Sequence, residues 1–307
     1  MTSTTGDAVL PVTSTPTIAA LDASGGKIKK RLTSPWASLV AVVLAVVWTA
    51  PTFGLLVTSF RPKAAIDDSG WWNVVAHPSF TLDNYRDALS SNSGGLGANF
   101  INSIIITVPA VLIPITLAAL AAYAFAWIEF KGRNLLFVCV FAMQIVPIQV
   151  TLIPLLSLYV DAGLARTFWP IWLSHVMFGL PLAIFLLHNF MKEIPRELIE
   201  AARMDGAGHV QIFFKVLMPL LTPALAAFGI FQFLWVWNDL LVALTMGGGT
   251  PDTNPLTVTL ANLAGTQGTQ WQLLSAGAFL SIALPMVVFL SLQRFFVRGL
   301  LAGGLKG

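Results

Sequence analysis

Six long apolar runs alternate with polar connections along this chain: Trp36–Ser59, Asn99–Ile128, Asn134–Val160, Thr167–Met191, Val216–Asn238 and Gln272–Gln293. None contains Asp, Glu, Lys or Arg. A helix rising ~1.5 Å per residue needs about 20 residues to cross the hydrocarbon core, so each run is long enough. The period-two alternation of a transmembrane barrel is missing. Lipid leaves a spanning backbone no partner but itself. The pattern therefore predicts an all-α membrane protein with six transmembrane helices.

Composition agrees with this reading. Of the 307 residues, 56% are hydrophobic and 10% charged, where a soluble domain carries about 25% charge. The basic residues give the orientation. Thirteen of the 17 Lys and Arg lie on one side: Lys27, Lys29, Lys30 and Arg31; Lys131 and Arg133; Lys192, Arg196, Arg203 and Lys215; Arg294, Arg298 and Lys306. The other side has Arg61, Lys63, Arg86 and Arg166. Both termini and the loop at 192–219 are thus predicted cytoplasmic, in a multi-pass protein of the cell membrane. Residues 1–30 read as a disordered cytoplasmic tail and 31–307 as the membrane domain. The basic cluster before Trp36 resembles a signal sequence, but the apolar run is too long for one, so it is predicted to be a retained anchor.

Prolines recur within the spans, at positions 51, 109, 114, 147, 154, 181, 223 and 285. Each removes a backbone donor and tends to kink its helix. Ala118, Ala122 and Ala126 recur at a spacing of four, which allows close helix contact. In the external segment Arg61–Ala98, the aromatic side chains of Trp71, Trp72, Phe80 and Tyr85 are predicted to rest at the membrane surface or against a partner, the surface being favoured. The run Gly247-Gly248-Gly249-Thr250 reads as a flexible external connection.

The loop at 192–219 has more order than a membrane connection needs. Pro195 suits the first turn of a helix. Glu197 and Glu200 sit toward its positive end. Arg196–Glu200 and Glu200–Arg203 have the spacing of helical ion pairs. Leu198, Ala201, Ala202 and Asp205 are predicted to share a flat side suited to a cleft. Asp205-Gly206 stops the helix, because glycine readily adopts the left-handed conformation. A second short pattern runs from His209 to Leu217, and Pro219 is predicted to open the fifth span.

The segment EAARMDGAGHVQIFFKVLMP resembles the EAA motif of the membrane subunits of ABC importers. Glu200, Ala201, Ala202, Gly206 and Pro219 match in register, with Val216 and Met218 where that family has Ile and Leu. The residues Ile194–Leu198 and Asp205–Ala207 resemble the carbohydrate branch, the MalG-like permeases. So do Ser59-Phe60-Arg61-Pro62, Asn99-Phe100-Ile101-Asn102-Ser103 and Trp237-Asn238-Asp239. The resemblance covers most of 36–307. It implies a type I importer permease fold and a chain that forms half of the passage for a sugar or oligosaccharide such as an α-glucoside. The implied partners are a second, homologous permease, two copies of a cytoplasmic ATPase and an external sugar-binding protein. ATP and Mg would be bound by the ATPase. The coupling set would be Glu200, Ala201, Ala202, Arg203, Asp205, Gly206 and Pro219, with Glu200 contacting the ATPase and Gly206 setting the bend.

Other chemistry is poorly represented. The phosphate-binding pattern Gly-x-x-x-x-Gly-Lys-Ser/Thr is missing: at Gly26-Lys27 the earlier glycine is Leu21 and the Ser/Thr is Ile28. The chain is not expected to be an enzyme or to bind nucleic acid. His77, His175, His188 and His209 show no metal spacing, and Cys139 reads as a small buried side chain. Asp239 is the acid nearest a span interior. Asn238 and Asp239 either bond a passing sugar or form a gate, or else they mark a solvated helix end or a contact with the partner permease. An ion-coupled carrier would need acids in mid-membrane, which these spans do not offer. A membrane sensor or scaffold would give no reason for the Glu-Ala-Ala–Gly register.

Overall fold

A computed structural model describes residues 35–90, 95–247, 249–266 and 270–304, excepting the side chains of 266 and 294–304. The predicted tail, the cluster Lys27–Arg31 and Lys306 lie outside the described residues. The chain divides into two units at Leu55. Helix α1, Pro35–Ser59, makes up the described part of the first unit and runs on past the boundary. Its 25 residues include no charge and would extend about 37 Å.

In the second unit, the segment predicted to be external folds around one cation. Arg61 is 2% exposed. Its guanidinium donates to the carbonyls of Ala65 (2.6 Å), Ser69 (3.0 Å) and Gly70 (2.9 Å) and to Ser69 Oγ (2.8 Å). Those bonds hold α2, Lys63–Asp68, and the 3₁₀ turn Trp71–Val75 against the chain. From α3, Asp83–Leu89, Asn84 Nδ2 donates to the carbonyls of Ser59 and Arg61 at 2.9 and 2.8 Å. Tyr85 departs from its predicted surface position. Its hydroxyl meets Ser59 Oγ at 2.8 Å and its ring packs on Phe60. Trp72 and Phe80 are exposed.

The bundle centres on α4, Leu96–Trp127, packed along α7, Trp169–Lys192. Ala118, Ala119 and Ala122 are buried where α4 meets Ala183, Leu187 and Met191 of α7. Lipid is as apolar as these side chains, so close packing rather than water exclusion favours the contact. Helix α9, His209–Trp237, completes this core through Ile212, Phe213, Leu217, Leu221 and Phe228. Gly179 of α7 lies so near α9 that a Cβ would come within 2.7 Å of the Gln232 amide.

The third predicted span is not one straight helix. Helix α5, Arg133–Ala142, tightens into a 3₁₀ turn at Met143–Ile145, and α6, Ile148–Asp161, leaves it at 101°. Pro147 lacks the amide the ladder needs and forces Val146 into an extended conformation (φ −70°, ψ 121°). Pro109, Pro114, Pro181, Pro223 and Pro285 all lie within continuous helices. Packing accounts for part of the difference. Pro114 and Pro181 are buried against neighbours, whereas no residue of α5 is buried. Helix α5 touches the bundle only along one side, through Phe137, Val140 and Phe141, among the described residues.

Helix α9 begins at His209 rather than at Pro219. A π-helical stretch, Ile212–Leu217, carries it into the proline. This widened turn lies where Pro219 disturbs the preceding ladder. Beyond α9 come α10, Leu241–Met246, α11, Leu256–Thr266, and α12, Trp271–Gly304. The connection predicted to be flexible is held in place; Gly248 itself lies outside the described residues. Thr253 Oγ1 donates to the Gly247 carbonyl at 2.8 Å. Asn102 Nδ2 donates to the carbonyls of Asp252 and Asn254 at 3.0 and 3.1 Å. Ser103 Oγ accepts from Leu256 N–H at 2.8 Å, and Asn99 donates to Thr259 Oγ1. The Asn-x-x-Asn-Ser run thus ties α4 to the loop before α11. Replacing Asn102 with Ala leaves two carbonyls unpaired. It should lower unfolding stability in detergent by about 1–3 kcal/mol, measured by denaturant titration.

Candidate functional site

Two polar features stand out against the apolar bundle. The first is α8, Arg196–Met204, with the turn that follows it. Pro195 is its N-cap residue rather than its first helical residue. Ile199 is 2% exposed and packs with Met191, Ile194, Ile212 and Phe213. Full burial of such a side chain from water is favourable by about 1.5–3 kcal/mol. The end of α8 is closed by a Schellman arrangement. Gly206 N–H donates to Arg203 C=O at 2.9 Å and Ala207 N–H to Ala202 C=O at 3.0 Å. Gly206 has φ +82°, which only glycine adopts without strain.

The position of Ile199 decides which side faces outward. Ala202 is three residues on, on the same face, and is half-buried against the core. Ala201 is exposed, as are Glu200, Arg203, Met204 and Asp205. The two alanines therefore do not share one flat surface, contrary to the sequence expectation. Nor do the predicted ion pairs form: among the described residues, the only pair within 4.0 Å is His175–Asp239. Pro219 stands apart from Glu200–Gly206. It lines an apolar groove of about 630 Å³ with Ile115, Phe214 and Met218.

Sequence reasoning missed the attachment of this element to the bundle. Tyr123, one turn from the end of α4, has its hydroxyl 2.7 Å from His209 Nδ1, and its ring packs edge-on against Phe213. Tyr123 lies within a span, where nothing in the pattern marked it. His209 was weighed only as a metal ligand. With Ile199, these contacts join α8, α4 and α9 into one packed unit.

The second feature is the junction after α9. Asp239 is not a solvated helix end: its side chain is 9% exposed. Oδ2 accepts Ala243 N–H at 2.9 Å and Oδ1 accepts Val242 N–H at 3.3 Å, so the carboxylate caps α10. Its carbonyl accepts from Thr257 Oγ1 at 2.7 Å. His175, 1% exposed, places Nε2 3.6 Å from Oδ2 and its ring beside Trp235. Gln232, also buried, donates to the carbonyls of Ala110 and His175 at 3.2 and 3.4 Å. Asn238 is exposed and donates to Leu234 C=O. This junction shapes a rim; it leaves neither Asp239 oxygen free of a backbone partner. No group of three metal-ligating side chains occurs among the described residues.

Residues 114–301 match the family described as binding-protein-dependent transport system inner membrane component. The chain is 52% identical over 272 residues to the osmoprotective compounds uptake permease protein GgtD of Synechocystis sp., covering 87% of this chain and 91% of that one. It is 52% identical over 257 residues to the alpha-glucoside transport system permease protein AglG of Rhizobium meliloti, covering 82% of this chain and 67% of that one. A chain from the crystal structure of a bacterial ABC transporter involved in the import of the acidic polysaccharide alginate shares the fold. The TM-score is 0.66 at 22% identity, over 92% of this chain and 100% of that one.

Substituting Gly206 with Val forces a branched side chain into the left-handed region, at a cost of roughly 1–2 kcal/mol. The capped turn should open roughly 5–30 times more often. Limited trypsin digestion at Arg203 in membrane vesicles should accelerate by that factor, with the spans still protected.

Proposed function

Because the chain belongs to the inner-membrane components of binding-protein-dependent transport systems, we propose that it is one half of a passage for an α-glucoside, driven by a separate ATPase through α8. The observation that carries this reading is the combination at α8. A short helix is fixed on its inner side by Ile199 and closed at Gly206, yet it presents Glu200, Ala201 and Met204 uncovered. A surface helix with no further task has little use for such fixation. A helix that must transmit displacement needs it, since force on its outer side reaches α4 and α9 only through a firm contact. The Lys- and Arg-rich side, where α8 lies, is inferred to be cytoplasmic.

The remaining partners follow from the same reading. Two copies of a cytoplasmic ATPase bind ATP and Mg; this chain and a second, homologous permease each receive one copy. An external binding protein delivers the sugar. The break at Val146-Pro147 supports the second permease. Non-helical backbone at membrane depth is tolerated against protein or water, not lipid, and residues 143–147 are uncovered in this chain. Gln144 and Gln149, both exposed beside the break, and Asn238 at the outer rim offer amides to sugar hydroxyls. Asp239 acts on the rim by shaping α10. An α-glucoside substrate is supported by the 52% identity to the alpha-glucoside transport system permease protein AglG.

Affinity purification of the tagged chain in mild detergent, from cells expressing its neighbouring genes, should recover a cytoplasmic ATPase. Glu200→Lys should reduce that recovery roughly tenfold or more, the effect of losing a hydrogen bond to a charged group, with membrane abundance unchanged. Equal recovery from both proteins contradicts the coupling role.

A further inference from the structure

Beside α8 lies a second concavity, which shares Glu200 and Arg203 with the coupling element but is otherwise lined by residues the coupling reading does not use. The ends of α4 and α7, the start of α5 and the flank of α8 enclose a cavity of about 460 Å³. Four cations line it, Arg133, Lys192, Arg196 and Arg203, against two carboxylates, Glu129 and Glu200. Opposite charges so close would ordinarily pair, yet no Lys or Arg lies within 4.0 Å of a carboxylate among the described residues. Arg133 donates once, to the Ile128 carbonyl at 3.2 Å. The cavity thus carries an excess of positive charge that no carboxylate pairs, which favours an anion with several acceptor oxygens.

Its position narrows the choice of anion. Ala126 and Trp127 form the last turn of the spanning helix α4, so the cavity opens at the depth of the headgroups. Basic pockets between helix ends on that side suit phosphate headgroups. We propose that this cavity binds the phosphate headgroup of an anionic membrane lipid, which bridges α8 to the ends of α4 and α7. The binding site stands on the cavity and its cations alone. Its consequence, that anionic lipid sets the resting position of α8, rests on the coupling role proposed above.

Native mass spectrometry of the intact assembly, with phosphatidylglycerol, phosphatidylcholine or inorganic phosphate added, tests the site without requiring transport. Phosphatidylglycerol should be retained and phosphatidylcholine lost. Arg133→Gln combined with Lys192→Gln should weaken phosphatidylglycerol retention roughly tenfold. Glu129→Gln, which removes a negative charge from the same wall, should not weaken it. Lys131→Gln, which changes a cation of the same loop that does not line the cavity, should leave retention unchanged. An equal loss in the Lys131 variant would reduce the effect to general surface charge and overturn the site. Equal retention of the two lipids overturns it as well. Displacement of the lipid by inorganic phosphate at comparable concentration would assign the cavity to a free anion. Loss of lipid only when the ATPase is bound, with Lys192 then cross-linking to an acidic residue of the ATPase, would assign it to the protein partner. Because retention is read directly, it can fail while Glu200→Lys still releases the ATPase, and the reverse.

Discussion

A nine-residue helix in water does not persist on its own propensity, because nucleation costs more than so few hydrogen bonds return. Helix α8 therefore depends on two contacts outside itself: the burial of Ile199 and the closure at Gly206. The first sets its rotation about its own axis, which leaves Ala201 outside and Ala202 inside. The second fixes where the chain turns to enter α9. The Tyr123–His209 hydrogen bond then ties that turn to α4. If either contact weakens, the outward face of α8 loses its fixed relation to the bundle, whatever its own residues are.

Within the membrane the governing constraint is different. Lipid offers no hydrogen-bond partner, so each departure from the helical ladder must find one in the protein. After α1 and around α10 and α11 it does. Arg61 gathers the carbonyls of its loop, Asn102 and Ser103 receive the segment before α11, and Asp239 caps α10 where α9 stops. At Val146-Pro147, among the described residues, no side chain takes that role. The contrast is what supports the proposed placing of the partner permease or the passage against the uncovered side of α5. The same argument separates Asp239, whose oxygens are already engaged, from Gln144 and Gln149, whose amides remain accessible.

Much of this was legible in the sequence because charge exclusion and helix length are strong signals. Three of the six predicted spans appear at nearly their predicted ends, the fifth is extended at its start by its π turn, and the sixth runs on to Gly304. The stop at Asp205-Gly206 was legible because one residue type alone suits its backbone angle. Proline carried less information. Pro147 breaks its helix and Pro114 does not, and the burial that separates them is a tertiary property. The orientation of α8 was readable in principle from the Ile199–Ala202 spacing. Leu198, expected on the side that enters a cleft, is 45% exposed, whereas Ala202, expected beside it, turns toward the core. The role of Asp239 could not be read at all, since the backbone amides it caps belong to a helix six residues long, too short to register as a pattern. The attachment through Tyr123 and His209 joins positions 86 residues apart, beyond any local signal.

On the coupling role proposed above, α8 meets a motor subunit with the side that Ile199 turns outward. The most direct measurement is thiol cross-linking in the intact assembly, with the exposed native Cys139 replaced by Ser and single cysteines placed at Ala201 or Ala202. Cross-linking to the ATPase from position 201, with little from position 202, is the predicted result. No cross-link from position 201, while the ATPase remains bound, would contradict it.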